Sequence, residues 1–400
     1  MGPSSGSAMM ISPRRRLSCS ACSSTPRICW RRRRCGASSP PSSKPHARGA
    51  QGGSHRMRTF SLLLCGCLAI AGWGCGEEAA MDPAGSPGRL IVKPDGSGTQ
   101  RTIQAAIDLA AEGDTVHLAS GTFVGAGNRD LDFRGKRLIV RSLAQQADSC
   151  IIDCQGSAAS PHRGFRFHSS ERSASKLIAL TVRNGYAERG GAILCSSVSS
   201  PSFVDCIFRD NRAVESGGAC HFGDNSSPAL SGCRFDSNRA GEMGGAIYCG
   251  DGAPAITGCA FSTNSAAAGG GLQIETTPAA QWLALVSCTF YGQSPDAVAC
   301  RDARLQLQRS ILAFGTGGPA VSCDGSCELT VSCCDAYGNQ GGDWVGCLAA
   351  WEGSGHNFSA DPRFCDAPGG DLRLAADSPC LLAPDCGRVG AWPQGCGAGF

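Results

Sequence analysis

The 400-residue sequence predicts an all-β fold, a right-handed parallel β-helix, and two observations carry that expectation. A unit of about 27 residues recurs between residues 184 and 290. Each copy consists of short apolar stretches broken by Gly, Asn, Pro and Ser, with no amphipathic window long enough for a helix. Such a unit cannot bury a core alone. Stacking solves this, because each strand pairs with its copy in the next rung at about 4.8 Å and equivalent side chains form ladders.

The foldable part begins after Cys75. The first 75 residues carry twelve Lys or Arg and no Asp or Glu. Setting those twelve aside from the 36 basic residues leaves 24 against 33 acidic ones, a net of −9 for residues 76–400. The body is therefore mildly acidic and nucleic acid is not an expected partner. Residues 57–75 have the basic head (Met57-Arg58) and short apolar run (Thr59 to Ile70) of a secretory signal peptide. The run is shorter than the roughly 20 residues that span a bilayer. Its end, Gly72-Trp73-Gly74-Cys75, resembles a lipoprotein signal with Cys75 as the lipidation site, although Gly72 stands where Leu is usual. Ile70-Ala71-Gly72 serves equally as a plain cleavage site, so the membrane enters only through that anchor. Residues 1–56, rich in Arg, Ser and Cys, read as a mis-assigned upstream start or a disordered leader, with an organellar transit segment as the rival. Of the 26 cysteines, 19 follow Cys75, a density suited to an oxidising compartment and an odd number that leaves at least one thiol free if the rest pair internally. The expected location is the outer membrane, the cell surface or the medium.

Three near-copies define the repeat. Asn184, Asn211, Asn238 and Asn264 step by 27, 27 and 26, as do the Gly pairs beginning at 190, 217, 244 and 270. Phe208, Phe235, Phe261 and Phe290 would form one ladder and Asn211, Asn238 and Asn264 another. Asn suits an inward turn because it tolerates left-handed φ and can bond its counterpart one rung away. Gly-Gly allows the tight corner that follows. The pattern weakens at both ends, where Thr181 stands in place of Phe and Gln293 in place of Asn.

Gly-Gly-Ala-Ile together with Phe-x-x-Asn resembles the repeat of the polymorphic outer membrane proteins over about 110 residues. That resemblance implies a right-handed β-helix at a cell surface and no particular ligand. Upstream, Ile91 to Gly98, Thr102 to Ala110 and Gly113 to Leu118 resemble the entry of pectate-lyase-like and pectin-esterase-like β-helices. The resemblance implies a short N-terminal capping helix over the open first rung, which would otherwise present a sticky edge. Asp361 to Phe364, Ser378 to Cys380 and Cys386 to Ala391 resemble the closing region of such proteins, so the β-helix domain is set at 76–400 with a Cys-rich cap from about 320.

Chemistry is weighed against these ladders. Cys206, Cys233, Cys259 and Cys288 recur in one column, and Cys195, Cys220 and Cys249 beside the Gly pairs. Either inter-rung disulfides or stacked buried thiols satisfy that spacing. The C-terminal cysteines lack paired C-x-x-C spacing with His nearby, so disulfides rather than zinc are expected there. Glu188, Glu215 and Glu242 fall four residues after the repeat Asn, and Arg212 and Arg239 one residue after it. That edge offers calcium or an anionic glycan a place, or else Arg and Glu neutralise each other. An enzyme of this architecture would need carboxylates and a base converging on a strand's outer face, and Asp153, Asp205, Arg209 and Asp210 are the available groups. His162, His168, His221 and His356 read as isolated surface or loop residues. The expectation is a non-catalytic exported wall for binding or adhesion, with polysaccharide as the candidate ligand. The alternatives are a carbohydrate-active lyase or hydrolase and a purely structural envelope component.

Overall fold

The computed structural model describes residues 89–275, 281–324 and 326–397; the readings for 1–56, 57–75 and Cys75 lie outside them. The described residues wind into a parallel β-helix whose walls are sheets of ten, nine, eight and three strands. One coil shows the plan. Ser202–Val204 lies in the ten-stranded wall, Ile207–Arg209 in the nine-stranded, Arg212–Ser216 in the three-stranded and Cys220–Phe222 in the eight-stranded, before Ala229–Ser231 rejoins the first. Among the described residues no helix is long and apolar enough to cross a membrane.

Alternation of side chains along each strand sends every second residue into the bore. Phe208, Phe235, Phe261 and Phe290 stack there with centroids 5.1, 4.8 and 4.4 Å apart, all fully buried. The spacing follows the rung repeat of about 4.8 Å. The rung before differs from the expectation. Val182, not Thr181, pairs with Phe208, and Thr181 pairs with Ile207, because the coil between them is 26 residues long.

Corners are made by single left-handed residues. Asp205, Gly232, Gly258 and Ser287 occupy the first corner with φ between 51 and 64°, and Asp210, Ser237, Thr263 and Gly292 the second with φ between 52 and 62°. The ladder asparagines are therefore not the left-handed residues; each follows one. The Asn211 backbone N–H and Nδ2 donate to Asn238 Oδ1 at 3.1 and 3.0 Å. Asn238 does the same to Asn264 Oδ1, and Asn264 to Gln293 Oε1. Gln293 thus extends the ladder that the sequence suggested it would interrupt. At the other end Gly185 N–H, not Asn184, meets Asn211 Oδ1. In the Gly pair the two residues have different tasks. Gly217 has φ 67°, and a Cβ on Gly218 would sit 2.1 Å from the Gly245 carbonyl oxygen of the next rung.

The open N-terminal end is covered by helix α1 (Ile103–Leu109), whose Ile103, Ala106 and Ile107 are buried against the first rungs. Thr102 Oγ1 accepts from Ala105 N–H at its start. At its end Lys136 Nζ donates to the Ile107, Asp108 and Ala110 carbonyls at 2.9, 2.8 and 2.9 Å. These are three charge-assisted bonds at the negative end of the helix. Lys136→Met is expected to lower stability by about 1.5–3 kcal/mol; an unchanged urea midpoint would refute that role.

The Cys-rich C-terminal region has two separate parts. Trp344 and the 3-10 turn Gly346–Trp351, through Leu348, close the bore. Disulfides Cys300–Cys327 and Cys323–Cys347 tie those last coils together. The chain then turns back along the outer face of the nine-stranded wall. Leu374, Cys380 and Val389 pack there on Ile311 and Ala313, and Leu372 packs near Ala260. Cys333–Cys386 fastens this clasp to a corner of the coil, and Cys365–Cys396 closes it on itself.

The column Cys206, Cys233, Cys259 and Cys288 is buried and unbonded, continued by Ser310 and Cys334 at the same corner. Cys206 and Cys233 donate to the Leu177 and Phe203 carbonyls of preceding rungs, as Ser310 does to Leu285. The thiols thus act as weak donors in a hydroxyl-compatible corner rather than as crosslinks. Cys195, Cys220 and Cys249 do not form one column. Cys195 and Cys249 flank Phe222, whereas Cys220 pairs with Ile193 and Ile247 two positions earlier.

Candidate functional site

The four groups suggested for catalysis do not meet. Asp153 ends its strand and is held by Arg183 Nε at 3.0 Å and by Asn184 Nδ2 at 3.1 Å. Arg209 is bound to Asp148 at 2.9 Å. Asp205 and Asp210 sit at the two corners bounding Ile207–Arg209, at opposite ends of one strand. A carboxylate pair flanking one substrate bond needs a separation of about 5–10 Å on a shared face. Here Arg183 stands between Asp153 and Arg209 on the intervening rung, and Asp205 and Asp210 turn to different corners.

The glutamate edge has a different fate. Arg189 Nε donates to Glu215 Oε2 at 2.7 Å, and this bond holds the Glu215 carboxyl below its usual range. The neutralising arginine is Arg189, not Arg212 or Arg239. Among the described residues no three His, Cys, Asp or Glu side chains gather as ligands for a metal ion. The calcium edge Glu188, Glu215 and Glu242 is therefore not assembled as a coordination sphere.

What Glu215 and Glu242 do border is a groove on the outer face of the eight-stranded wall. Leu194, His221 and Tyr248 pair in register on three successive rungs, and the His221 and Tyr248 rings stack with centroids 4.8 Å apart and planes inclined by 18°. Two adjoining hollows of about 470 and 330 Å³ share Arg189, His221, Gly223 and Asp224. Glu242, Asp251 and Tyr248 complete one, and Arg163, Glu188 and Leu194 the other.

Each member of the shelf is fixed by a second group. His221 Nδ1 lies 3.0 Å from Ser216 Oγ, and both residues are buried. Burial pushes the His221 imidazole down to about 4, reinforced by Arg189 and Arg163, so the ring is neutral at ordinary pH. Tyr248 donates its hydroxyl to Glu275 Oε2 at 2.8 Å, and Arg301 braces the same carboxylate at 3.1 Å. Burial and that acceptor raise the Tyr248 pKa, keeping the phenol protonated. The result is a neutral, preorganised aromatic step with a charged rim. The ring faces cover each other along the axis, so a ligand on the wall meets the outward edge of Tyr248 while its hydroxyls bond the rim.

His221 is thus no isolated loop residue. It lies four positions after Gly217, as Tyr248 lies four after Gly244 and Leu194 four after Gly190. That shared offset was the available signal. His162, His168 and His356 are each tied to a neighbour, Asp130, Asp132 and Asp385 in turn.

Residues 151–308 match the family model for a right handed beta helix region. No curated protein matches the chain. The fold is accordingly a right-handed parallel β-helix, and the matched span contains the whole His221–Tyr248 groove.

Proposed function

We propose that the protein is an exported β-helix whose eight-stranded wall binds polysaccharide without altering it chemically. The observation that carries this reading is the stacked His221–Tyr248 step, locked by Ser216 and Glu275 and rimmed by Arg189, Glu215, Glu242 and Asp224. Rungs about 4.8 Å apart repeat on the length scale of one sugar residue. A polymer laid along the solenoid axis therefore meets one outward position of the wall per rung. Sites built on such strands need little reordering on binding, which preserves affinity. Four disulfides suit life in an oxidising compartment.

The test is to incubate the purified protein with neutral and acidic polysaccharides and to record retention together with release of reducing or unsaturated ends. Retention without release is expected. Tyr248→Ala should weaken retention about fivefold to tenfold, the effect of losing one aromatic contact, while thermal unfolding stays close to the parent. Release of new ends would overturn the non-catalytic reading, and retention indifferent to Tyr248 would overturn the site.

A further inference from the structure

The three-stranded wall, Tyr186–Arg189, Arg212–Ser216 and Arg239–Ala240, carries a second feature that the groove does not use. Tyr186, Arg212, Arg239, Ser265 and Ser294 pair in register on five successive rungs. Arg212 and Arg239 are exposed, and neither has a carboxylate partner among the described residues, in contrast to Arg189, Arg209 and Arg234. The Arg212 guanidinium lies 5.8 Å over the Tyr186 ring. Cations extending from adjacent rungs repel each other, and an anion between them relieves that repulsion.

Ala187, Ala213 and Ala240, next along these strands, pair on consecutive rungs and are buried toward the bore, whereas Val214 is half-exposed. The column, with Val214, Gly241, Ala266 and Ala267 beside it, lines an open trough of about 510 Å³. One line of the trough therefore presents a phenol, two guanidiniums and two hydroxyls, all able to donate, spaced by the rung repeat. No carboxylate lines it.

We infer that this trough binds a linear anionic polysaccharide lying along the solenoid axis, with acid groups of the polymer on Arg212 and Arg239 and its hydroxyls on Tyr186, Ser265 and Ser294. Guanidiniums take carboxylate or sulfate through paired N–H donors, which gives orientation as well as charge. Gly241, Ala266 and Ala267 leave room for the backbone of a sugar chain beside the half-exposed Val214. The body of the protein carries a net of −9 outside its basic leader, which opposes wide contact with a nucleic acid and favours a local match of this kind. The trough and the groove share no lining side chain, the trough using the first residues of the strands Tyr186–Arg189 and Arg212–Ser216 and the groove their last.

Binding to polygalacturonate, chondroitin sulfate, neutral dextran and single-stranded DNA distinguishes the outcomes, with the parent and the Arg212→Gln/Arg239→Gln double variant compared. Polygalacturonate or chondroitin sulfate should bind the parent, weaken with added salt, and bind the double variant at least about tenfold less tightly. The stronger of those two arms identifies carboxylate or sulfate as the group recognised. Both substitutions are at exposed positions, so the thermal midpoint should hold and report an intact fold. Dextran retention should be unchanged in the double variant and sensitive only to Tyr248→Ala, which separates failure of the trough from failure of the groove. Equal affinity of parent and double variant, no binding of either acidic polymer, or tighter binding of DNA would each overturn the inference.

Discussion

Asn238→Ala is expected to lower the stability of the solenoid by about 3–5 kcal/mol, far more than an ordinary surface asparagine would. Asn238 Oδ1 accepts both the backbone and side-chain N–H of Asn211, and its Nδ2 reaches the Phe208 carbonyl at 2.9 Å. All of these groups lie out of solvent. Removing the amide orphans the buried Asn211 N–H, strips a donor from the Phe208 carbonyl and leaves a cavity beside the phenylalanine stack. Each unsatisfied buried group costs about 1–3 kcal/mol. The matching control is Asn184→Ala. Asn184 is exposed, sits at a left-handed corner with φ 54° and bonds only Asp153, so its loss should cost about 1 kcal/mol. Urea midpoints of the two variants, measured side by side, decide the point. Equal losses would mean that the amide ladder contributes nothing beyond local turn preference.

That control also marks where the sequence is readable and where it is not. Identical residues at a fixed spacing expose their ladder directly, and so the Phe and Asn columns from residue 208 onward could be written down before any coordinates. Asn184 fits the same 27-residue count from the Gly pairs, yet it lies one place out of line. The cause is a bulge. Ala187 pairs with Ala213 but Arg189 pairs with Ser216, so the strand Arg212–Ser216 carries one extra residue. Such an insertion shifts every residue before it by one position while those after it stay in phase. Counting cannot detect this, because the total between Gly pairs is unchanged. The half-exposed Val214 in that stretch is its only outward sign.

The groove was legible in part for a related reason. Glu215 and Glu242 stood out as a column because they are the same residue. His221 and Tyr248 occupy a common outward position but differ in type, and a search for repeated letters passes over them. Arg189 as the partner of Glu215 follows from cross-rung geometry: it lies 26 residues away on the next coil. For the charges, the rung pairing sets Arg183 between Asp153 and Arg209, and the corners send Asp205 and Asp210 apart, neither of which residue spacing alone reveals. In the C-terminal region, cysteine spacing signalled crosslinks but not their partners, since spacing alone leaves the connectivity open. Nor did it show that the last residues clasp the side wall instead of closing the bore.

The clasp supplies the second large expected effect. Asp335 lies fully buried on the face of the nine-stranded wall, with Ala360 N–H on Oδ1 at 3.0 Å and the Cys380 thiol 3.3 Å from Oδ2. Burial lifts its carboxyl from an ordinary 3.8 to about 7, and Asp343 and Asp361 push the same way. The sign follows from which state binds the proton. Below about pH 4 the carboxyl is protonated in folded and unfolded chains alike, and it brings no penalty. Between about pH 4 and 7 the unfolded chain ionises while the folded one holds its proton, so stability falls steadily. Above about pH 7 both are charged and the loss is complete, roughly 4 kcal/mol for a shift of this size. Asp335→Asn keeps an acceptor for Ala360 and cannot ionise. Its stability relative to the parent should therefore rise by roughly 4 kcal/mol between pH 4 and pH 8, whatever constant difference the new amide introduces. Denaturant midpoints of both proteins at those two pH values, with disulfides intact, measure that change. A gap that stays the same at both would show that Asp335 ionises freely, and the clasp would then have to leave its carboxyl open to water.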